Sequence, residues 1–200
     1  MTARIPGPPH GTGFWPPGMR EGTPRQQEAA RVLEELHLEE ELGGYSPRLV
    51  GTVPIGIDVD GSDLDVICEA QDLEAWCRDV TARFHHHAGF RCSGAGRASA
   101  TANFVHEGWE IELFAQDRPT DEQNGYRHMV VEERILRWLS PAERERIRDW
   151  KTQGMKTEPA FARLLGLSGD PYEELLVLWD APDEEIQERL RWARLAPDRE

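Results

Sequence analysis

Four aspartates, at positions 58, 60, 63 and 65, lie between two apolar runs in the segment GTVPIGIDVDGSDLDVICE. Asp58 and Asp60 suit a turn that faces water, because Asp and Gly are common turn formers. Asp63 and Asp65 do not, since the residues around them alternate as in a strand, where Asp is disfavoured. Two residues apart on a strand, their carboxylates share a face about 7 Å apart and repel each other unless a cation lies between them. The pair therefore indicates a divalent-metal site.

The carboxylate oxygens of Asp63 and Asp65 suit Mg²⁺, which proteins often hold jointly with substrate phosphates. Two such ions about 4 Å apart can activate a hydroxyl and stabilise a departing pyrophosphate. The nearby Gly51-Thr52 turn can bring backbone N–H groups and a hydroxyl to phosphate oxygens, because glycine permits close approach. These residues together predict metal-assisted chemistry on a bound phosphate.

A calcium-binding loop is the competing interpretation of this segment. Asp58, Asp60, Ser62 and Glu69 occupy the first, third, fifth and twelfth positions of an EF-hand frame. The sixth position of that frame requires Gly for its sharp turn and holds Asp63 instead, and the flanking residues suit strands rather than helices. Magnesium is therefore favoured over calcium.

The spacing Gly-Thr-x3-Gly-x5-Ser-Asp-Leu-Asp, which begins at Gly51, also resembles a known superfamily. It is similar to the nucleotidyltransferases related to DNA polymerase β, in particular to the small bacterial minimal and antibiotic-modifying members. The resemblance implies that the Asp-x-Asp pair binds two Mg²⁺ ions, with Mn²⁺ as a substitute. It also implies that four residues position the triphosphate of an NTP: Gly51, Thr52, Gly56 and Ser62.

The superfamily has a third metal-binding carboxylate on a later strand, between apolar residues. The run Trp109–Phe114 offers two acidic side chains on one face, Glu110 and Glu112. Glu112 is favoured, because its Ile-Glu-Leu context is nearest to the superfamily pattern, and Glu110 stays as the alternative. Many members carry Asp at this position, and Glu reaches one methylene further.

Beyond this site, the runs EIELFAQ, EQNGYRHMVVEERIL and KTEPAFARLLGL extend the resemblance over roughly residues 23–178. Together they are similar to a family of uncharacterised bacterial proteins, known as a domain of unknown function within the same superfamily. Arg127 and His128 in these runs are candidates to bind phosphate, and His128 also to accept a proton. The alternative is that they are polar residues of a helix surface. Lys156 is a further candidate to bind phosphate, and a solvated residue before a helix is the favoured interpretation of it.

The predicted function is transfer of a nucleoside monophosphate from an NTP to an unidentified acceptor, with release of pyrophosphate. The alternative is a nucleotide-binding or protein-interaction module of the same fold without catalysis. Twenty-three Lys and Arg against 37 Asp and Glu give a formal charge of −14, which opposes binding to long nucleic acid. A small molecule or a protein hydroxyl is the favoured acceptor.

Length and composition indicate the size of the domain and the cellular location of the protein. The 200 residues suffice for one domain with a core, and the three cysteines form no C-x-x-C pair. The sequence has no apolar run long enough for a membrane span and no signal-peptide pattern at its start. We therefore expect a cytoplasmic protein.

The elements that must position these residues follow from capping and periodicity. A capping box at Thr23 predicts a helix that ends at Gly43-Gly44, and further boxes are predicted at Thr120 and Ser140. Strands are predicted over 48–50 and 63–69, and a hairpin turns at 107–108. The expected fold is α+β, a small mixed sheet covered by helices. Its three parts are a Pro/Gly-rich arm over residues 1–22, an α/β core over 23–118 and a helical region over 119–200.

Overall fold

A computed structural model describes residues 13–94 and 96–195, in which one mixed sheet is covered by helices. Alternating apolar residues, typical of half-buried strands, run through most of this sheet. Its strands in chain order are β1 (Arg48–Val50), β2 (Leu64–Glu69), β3 (Ala88–Ser93), β4 (Ser99–His106) and β5 (Trp109–Gln116). Across the sheet the order is β1-β2-β5-β4-β3, and only β2 and β5 run parallel to each other.

The helices are α1 (Pro24–Glu35), α2 (Leu38–Glu41), α3 (Leu73–Phe84), α4 (Asn124–Leu136), α5 (Pro141–Thr152), α6 (Thr157–Leu165), α7 (Pro171–Val177) and α8 (Asp183–Leu195). The capping boxes at Thr23 and Ser140 form as predicted, each with a proline in the first turn. Asp170 caps α7 through its side chain. Across the described ranges, every helix is too short or too polar to traverse a bilayer.

The two faces of the sheet have different partners. On one face, Leu64, Val66 and Cys68 of β2 are buried with residues of β4 and β5 beneath α1 and α3. Because side chains alternate along a strand, the residues between them point to the opposite face. There Ile67 packs with Val50 and Phe114 against α4, and Asp65 and Glu112 lie on the same face.

The helices α4 to α8 form a second core cluster, to which Ile57 of the loop between β1 and β2 also belongs. Phe14 is buried in the first cluster, and its carbonyl accepts a hydrogen bond from the N–H of Leu49. This part of the predicted arm therefore packs on the body. Residues 1–12 of the arm and 196–200 of the helical region lie outside the described residues, and the boundaries predicted at 22 and 118 stay predictions.

Two expectations about local structure were wrong, and one strand was missed. The first helix stops at Glu35 rather than at Gly43-Gly44, because His37 adopts a left-handed conformation with a φ of 50° and a separate short helix follows. The box predicted at Thr120 does not form. Instead α4 begins at Asn124, with Gln123 before it and no side-chain cap. The edge strand β3 was not predicted, because its side chains are mostly exposed and lack apolar alternation.

Candidate active site

The parallel pairing of β2 and β5 brings two acidic residues side by side. Asp65 lies opposite Glu112 in the register, and Asp63 directly precedes β2. Neighbouring strands are about 4.8 Å apart, so the two carboxylates share one small area of the polar face. The Asn103 side chain on β4, opposite Glu112 on the other side, donates a hydrogen bond of 3.1 Å to its carboxylate. The strand register therefore places Glu112 beside Asp65, and the hydrogen bond from Asn103 orients its carboxylate.

Burial of the apolar residues of β2 dictates where Asp65 points. Leu64 and Val66 on either side of it are fully buried in the core beneath α1 and α3. The strand cannot turn Asp65 into that core without exposing both neighbours, because a change of face moves every side chain. Asp65 must therefore lie on the face that bears Glu112.

The turn after β1 approaches Asp65 so closely that it requires glycine. Gly51 has a φ of 88°, and a Cβ placed on it would lie 2.3 Å from Asp65 Oδ2. Thr52 follows in the turn, and both residues line the same cavity as Asp65. Ser62 lines it as well, and its Oγ accepts a hydrogen bond of 2.9 Å from the Val59 N–H. Ser62 thus shapes the second turn of this loop.

Side chains from two helices hold the loop between β1 and β2 in place. Gln26 of α1 donates hydrogen bonds of 2.9 Å to the carbonyls of Val53 and Pro54. From α5, Arg148 donates to the Gly56 carbonyl at 2.7 Å and Lys151 to the Ile57 carbonyl at 2.8 Å. A loop held at four carbonyls is a fixed wall of the site.

The pKa of Asp65 reflects its burial and the negative charges around it. Burial raises the pKa of its carboxyl from 3.8 to about 7, and the carboxylates of Asp63 and Glu112 add to the rise. Lys156 acts in the opposite direction. A divalent cation would remove this repulsion, because it favours the ionised form of every carboxylate it contacts. The donor set of three carboxylates therefore fits a hard cation such as Mg²⁺.

These residues form one wall of a cavity with a volume of about 860 Å³. The other wall comes from α4, the end of α5, the start of α6 and the first turn of α7. Its ionisable and phenolic side chains are His128, Glu132, Lys151, Lys156, Glu158 and Tyr172. Both positive and negative groups are therefore available to a ligand from the helical side.

Burial dominates the ionisation of this second wall. It raises the pKa of the Glu132 carboxyl well above its usual value, and Glu158 adds to that effect. It lowers the pKa of Lys151, against an opposite influence of Glu132 and Asp58. It also lowers the pKa of His128, which Glu158 partly offsets. A bound ion or phosphate would therefore shift the pKa values of these groups strongly.

Most of the predicted site residues meet at this cavity, and three do not. Those that line it are Gly51, Thr52, Ser62, Asp63, Asp65, Glu112 and His128. Gly56 instead lies in the anchored loop with a φ of 69°. Glu110 is exposed and lies further along β5 from the position that pairs with Asp65. The Arg127 guanidinium lies 5.3 Å from the centre of the Trp179 ring.

The remaining aspartates and the first turn of α1 have other roles. Asp60 is exposed at the edge of the cavity, as expected for a solvated turn. The expectation for Asp58 was wrong, because its side chain is only 15% exposed and lies 3.9 Å from Arg25. Arg25 also stacks over the Trp109 ring at 3.6 Å. It therefore braces the loop against β5 rather than reaching the cavity.

Sequence reasoning missed Asn103, Glu132, Lys151, Glu158 and Tyr172. A weak signal existed for one pair, because His128 and Glu132 are four residues apart, the spacing of neighbours on a helix face. The others come from elements far apart in the chain. Their convergence depends on helix packing, which no local pattern encodes.

Comparison with known protein families gives a match over most of the chain. A family model described as "Domain of unknown function (DUF4269)" matches residues 31–178. The chain belongs to this DUF4269 family. No curated protein matches it.

The DUF4269 chain is also similar to solved structures. One is described as "structure of GLD-2/RNP-8 complex", with a TM-score of 0.51 and 10% identity over 82% of this chain and 74% of that chain. Another, described as "Structure and function of the polymerase core of TRAMP, a RNA surveillance complex", gives a TM-score of 0.45 and 13% identity over 79% of this chain and 50% of that one. The fold of this DUF4269 chain is an α+β nucleotidyltransferase fold.

Proposed function

We propose that this protein is a metal-dependent nucleotidyltransferase, which moves a nucleoside monophosphate from an NTP to a hydroxyl acceptor and releases pyrophosphate. The observation that carries the proposal is the register of Asp65 with Glu112 beside Asp63. Three carboxylates meet there on a cavity wall whose adjoining turn requires a glycine at position 51. This arrangement suits a phosphate ester bound together with divalent cations.

Asp63, Asp65 and Glu112 would hold Mg²⁺ or Mn²⁺. Such ions, when bound, neutralise charge on the reacting phosphate and on the departing pyrophosphate. The protein's own groups would bind the remaining phosphate oxygens. The Gly51-Thr52 turn offers backbone N–H groups and a hydroxyl to phosphate oxygens, since no side chain blocks their approach.

The helical wall supplies positive charge for the triphosphate. Lys151 and Lys156 both line the cavity opposite the carboxylates. Lys151 is fixed by its hydrogen bond to the Ile57 carbonyl, which leaves its remaining N–H groups for an anion. Glu112, which Asn103 orients, is the carboxylate assigned to take the proton of the acceptor hydroxyl.

The acceptor is proposed to be a small molecule or a protein hydroxyl. A net charge of −14 repels a long polyanion, and the cavity itself carries carboxylates from both walls. A small acceptor can enter such a cavity without wide contact with the acidic surface.

The test measures binding and turnover in matched variants. Thermal unfolding is followed with each of the four NTPs, with and without Mg²⁺ or Mn²⁺, for wild type, Asp63→Asn/Asp65→Asn, Glu112→Gln and Glu110→Gln. We expect metal-dependent stabilisation by a nucleotide in wild type, and its loss in the double variant and in Glu112→Gln. Glu110→Gln decides which acid is the ligand, because it changes the same charge on the same strand face.

Pyrophosphate release is then measured with the nucleotide that stabilises the wild type. Release that disappears in Asp63→Asn supports the transferase. Nucleotide binding without release on any acceptor would support a catalytically silent module instead. No metal-dependent stabilisation in any protein would contradict the proposal.

A further inference from the structure

Three side chains on the helical wall converge although they come from two helices. His128 and Glu132 lie one turn apart on α4, and Glu158 lies in the first turn of α6. One ring nitrogen of His128 and one carboxylate oxygen from each Glu all lie within 4.8 Å of one another. The group consists of other residues than Asp63, Asp65 and Glu112, although the Glu158 carboxylate is one of the charges that raise the pKa of Asp65.

Two of these residues are buried, and one of them has a buried nitrogen without a hydrogen-bond partner in the described part of the chain. His128 is 7% exposed and Glu132 is 3% exposed. The Nδ1 atom of His128 is buried, and it has no hydrogen-bond partner among the residues that the structure describes. A buried polar atom without a partner costs free energy, so native structures rarely keep one unless something binds it.

The chemistry of the three donors favours a transition metal over Mg²⁺. Imidazole nitrogen together with carboxylate oxygen suits Zn²⁺ and its first-row neighbours, whereas Mg²⁺ prefers oxygen alone. Three protein ligands with a fourth position open is the usual arrangement of reactive zinc sites. Two ligand atoms of a tetrahedral Zn²⁺ site are about 3.4 Å apart, since each bond is about 2.1 Å long. The three atoms, which lie within 4.8 Å of one another, must therefore approach each other by up to about 1.4 Å when the ion binds.

Local charge is compatible with a cation at this position. Lys151 opposes the rise in the pKa of Glu132, and its Nζ donates a hydrogen bond to the Ile57 carbonyl. Arg127, beside His128 in the chain, adds to the lowering of the His128 pKa. A bound cation would favour the ionised forms of Glu132 and Glu158. The ligands also come from helices, which hold side chains more precisely than loops do.

We propose that His128, Glu132 and Glu158 form a second metal site, which binds Zn²⁺ or a similar transition-metal ion. All three residues line the same cavity as the sheet carboxylates. An open coordination position there would bind a hydroxyl group of an acceptor, a consequence that rests on the proposed function. Metal binding itself does not depend on nucleotidyl transfer.

The first experiment titrates Zn²⁺ into chelator-treated protein by calorimetry and records the visible absorption of the Co²⁺ form. We expect one tight site in wild type and four-coordinate Co²⁺ bands. Affinity should fall on the order of 100-fold or more in His128→Gln and in Glu158→Gln, because each loses one of three ligands. Circular dichroism confirms that each variant is folded.

Two control variants separate this site from other sources of binding. His86→Gln alters the exposed run His85-His86-His87, whose rings lie close together and could bind Zn²⁺ at the surface. It should retain the tight site. Asp63→Asn/Asp65→Asn should also retain it, and this result would keep the second site distinct from any failure of the proposed function.

A second readout keeps the test decisive even where a variant changes stability. Without metal, Glu132→Gln should unfold at the same or a higher temperature than wild type, because it removes a buried carboxyl. With Zn²⁺ the order should reverse, because only the wild type gains full stabilisation. Equal Zn²⁺ stabilisation in wild type and all three ligand variants would overturn the site, and so would loss of the tight site in His86→Gln alone.

Discussion

Among single residues, Gly51 has the most direct influence on the carboxylates. Its φ of 88° is unfavourable for any residue with a Cβ, and the added atom would meet Asp65 Oδ2. The side chain of Asp65 cannot retreat into the core, since Leu64 and Val66 fill the other face. The shape of the turn at Gly51 therefore determines where the carboxylate of Asp65, a proposed metal ligand, can lie.

Gly51→Ala should abolish metal-dependent nucleotide binding at a modest cost in stability. The positive φ alone costs about 1 to 2 kcal/mol, and the Cβ displaces the Asp65 carboxylate. Gly108→Ala is the matched control, because Gly108 has a φ of 81° in the hairpin turn with open space around its Cβ position. Thermal shift with nucleotide and Mg²⁺ compares the two. Equal responses in both variants would show that Asp65 does not need the glycine.

Asp65 makes stability depend on pH in a defined window. Its carboxyl has a pKa raised from 3.8 to about 7, so folding favours the neutral form. The stability that this group provides is full below its ordinary pKa and is lost as the pH rises towards 7. In metal-free buffer, Asp65→Asn should therefore stabilise the protein above pH 7 by as much as about 4 kcal/mol, and hardly at all below pH 4.

Urea unfolding of wild type and Asp65→Asn across this pH range measures the difference. Saturating Mg²⁺ should reduce it above pH 7, because a cation between the carboxylates relieves the repulsion in wild type only. A difference that is constant with pH would mean that Asp65 is not the group that titrates.

Among the elements, the loop between β1 and β2 matters most, because α1 and α5 fix it from outside. Gln26 serves two purposes there. Its Oε1 accepts from the Thr23 N–H in the capping box, while its Nε2 donates to the carbonyls of Val53 and Pro54. The start of α1 and the wall of the site are thereby joined through one buried side chain.

Gln26→Met should loosen the loop and weaken nucleotide binding. It leaves the Val53 and Pro54 carbonyls without their partner, at a cost of about 2 to 3 kcal/mol. Thr23→Ala is the control, since it removes only the cap and costs about 1 kcal/mol. Urea unfolding gives the stabilities, and titration with the stabilising NTP gives the affinities. Affinity lost equally in both variants would point to the helix rather than to the loop anchor.

Local signals predicted the elements well where the chain alone determines them. The box at Thr23, the hairpin at 107–108 and the strand bearing Asp65 all depend on residues close in sequence. The same reasoning failed at Thr120, because Gln123 donates instead to the carbonyls of Cys68 and Arg118. A tertiary contact there replaces the local cap.

At the scale of the whole molecule, the cavity is a product of two packed layers. Sequence placed Asp63 and Asp65 together because they are two residues apart, and the resemblance added Glu112. It could not bring Glu132 and Glu158 to the same cavity, since that requires α4 and α6 to pack over the polar face of the sheet. Contacts between distant segments are what a single sequence encodes least visibly.

The net charge of −14 predicts a general response of stability to salt, which can be distinguished from specific binding of Mg²⁺. Such a charge destabilises the compact state through self-repulsion, so NaCl should raise the unfolding temperature gradually. At equal ionic strength Mg²⁺ should raise it further in wild type, because it also occupies the site of Asp63 and Asp65. Asp63→Asn/Asp65→Asn should keep the response to NaCl and lose the additional response to Mg²⁺.

A variant with the same change in charge completes this comparison. Glu74→Gln/Glu188→Gln removes two exposed carboxylates far from the cavity. It should respond to NaCl like the double aspartate variant and to Mg²⁺ like wild type, because screening depends on total charge whereas binding depends on position. Differential scanning fluorimetry of the three proteins measures both responses. If the charge control also lost the additional Mg²⁺ effect, the ion would act on the acidic surface as a whole, and the three carboxylates would not be its site.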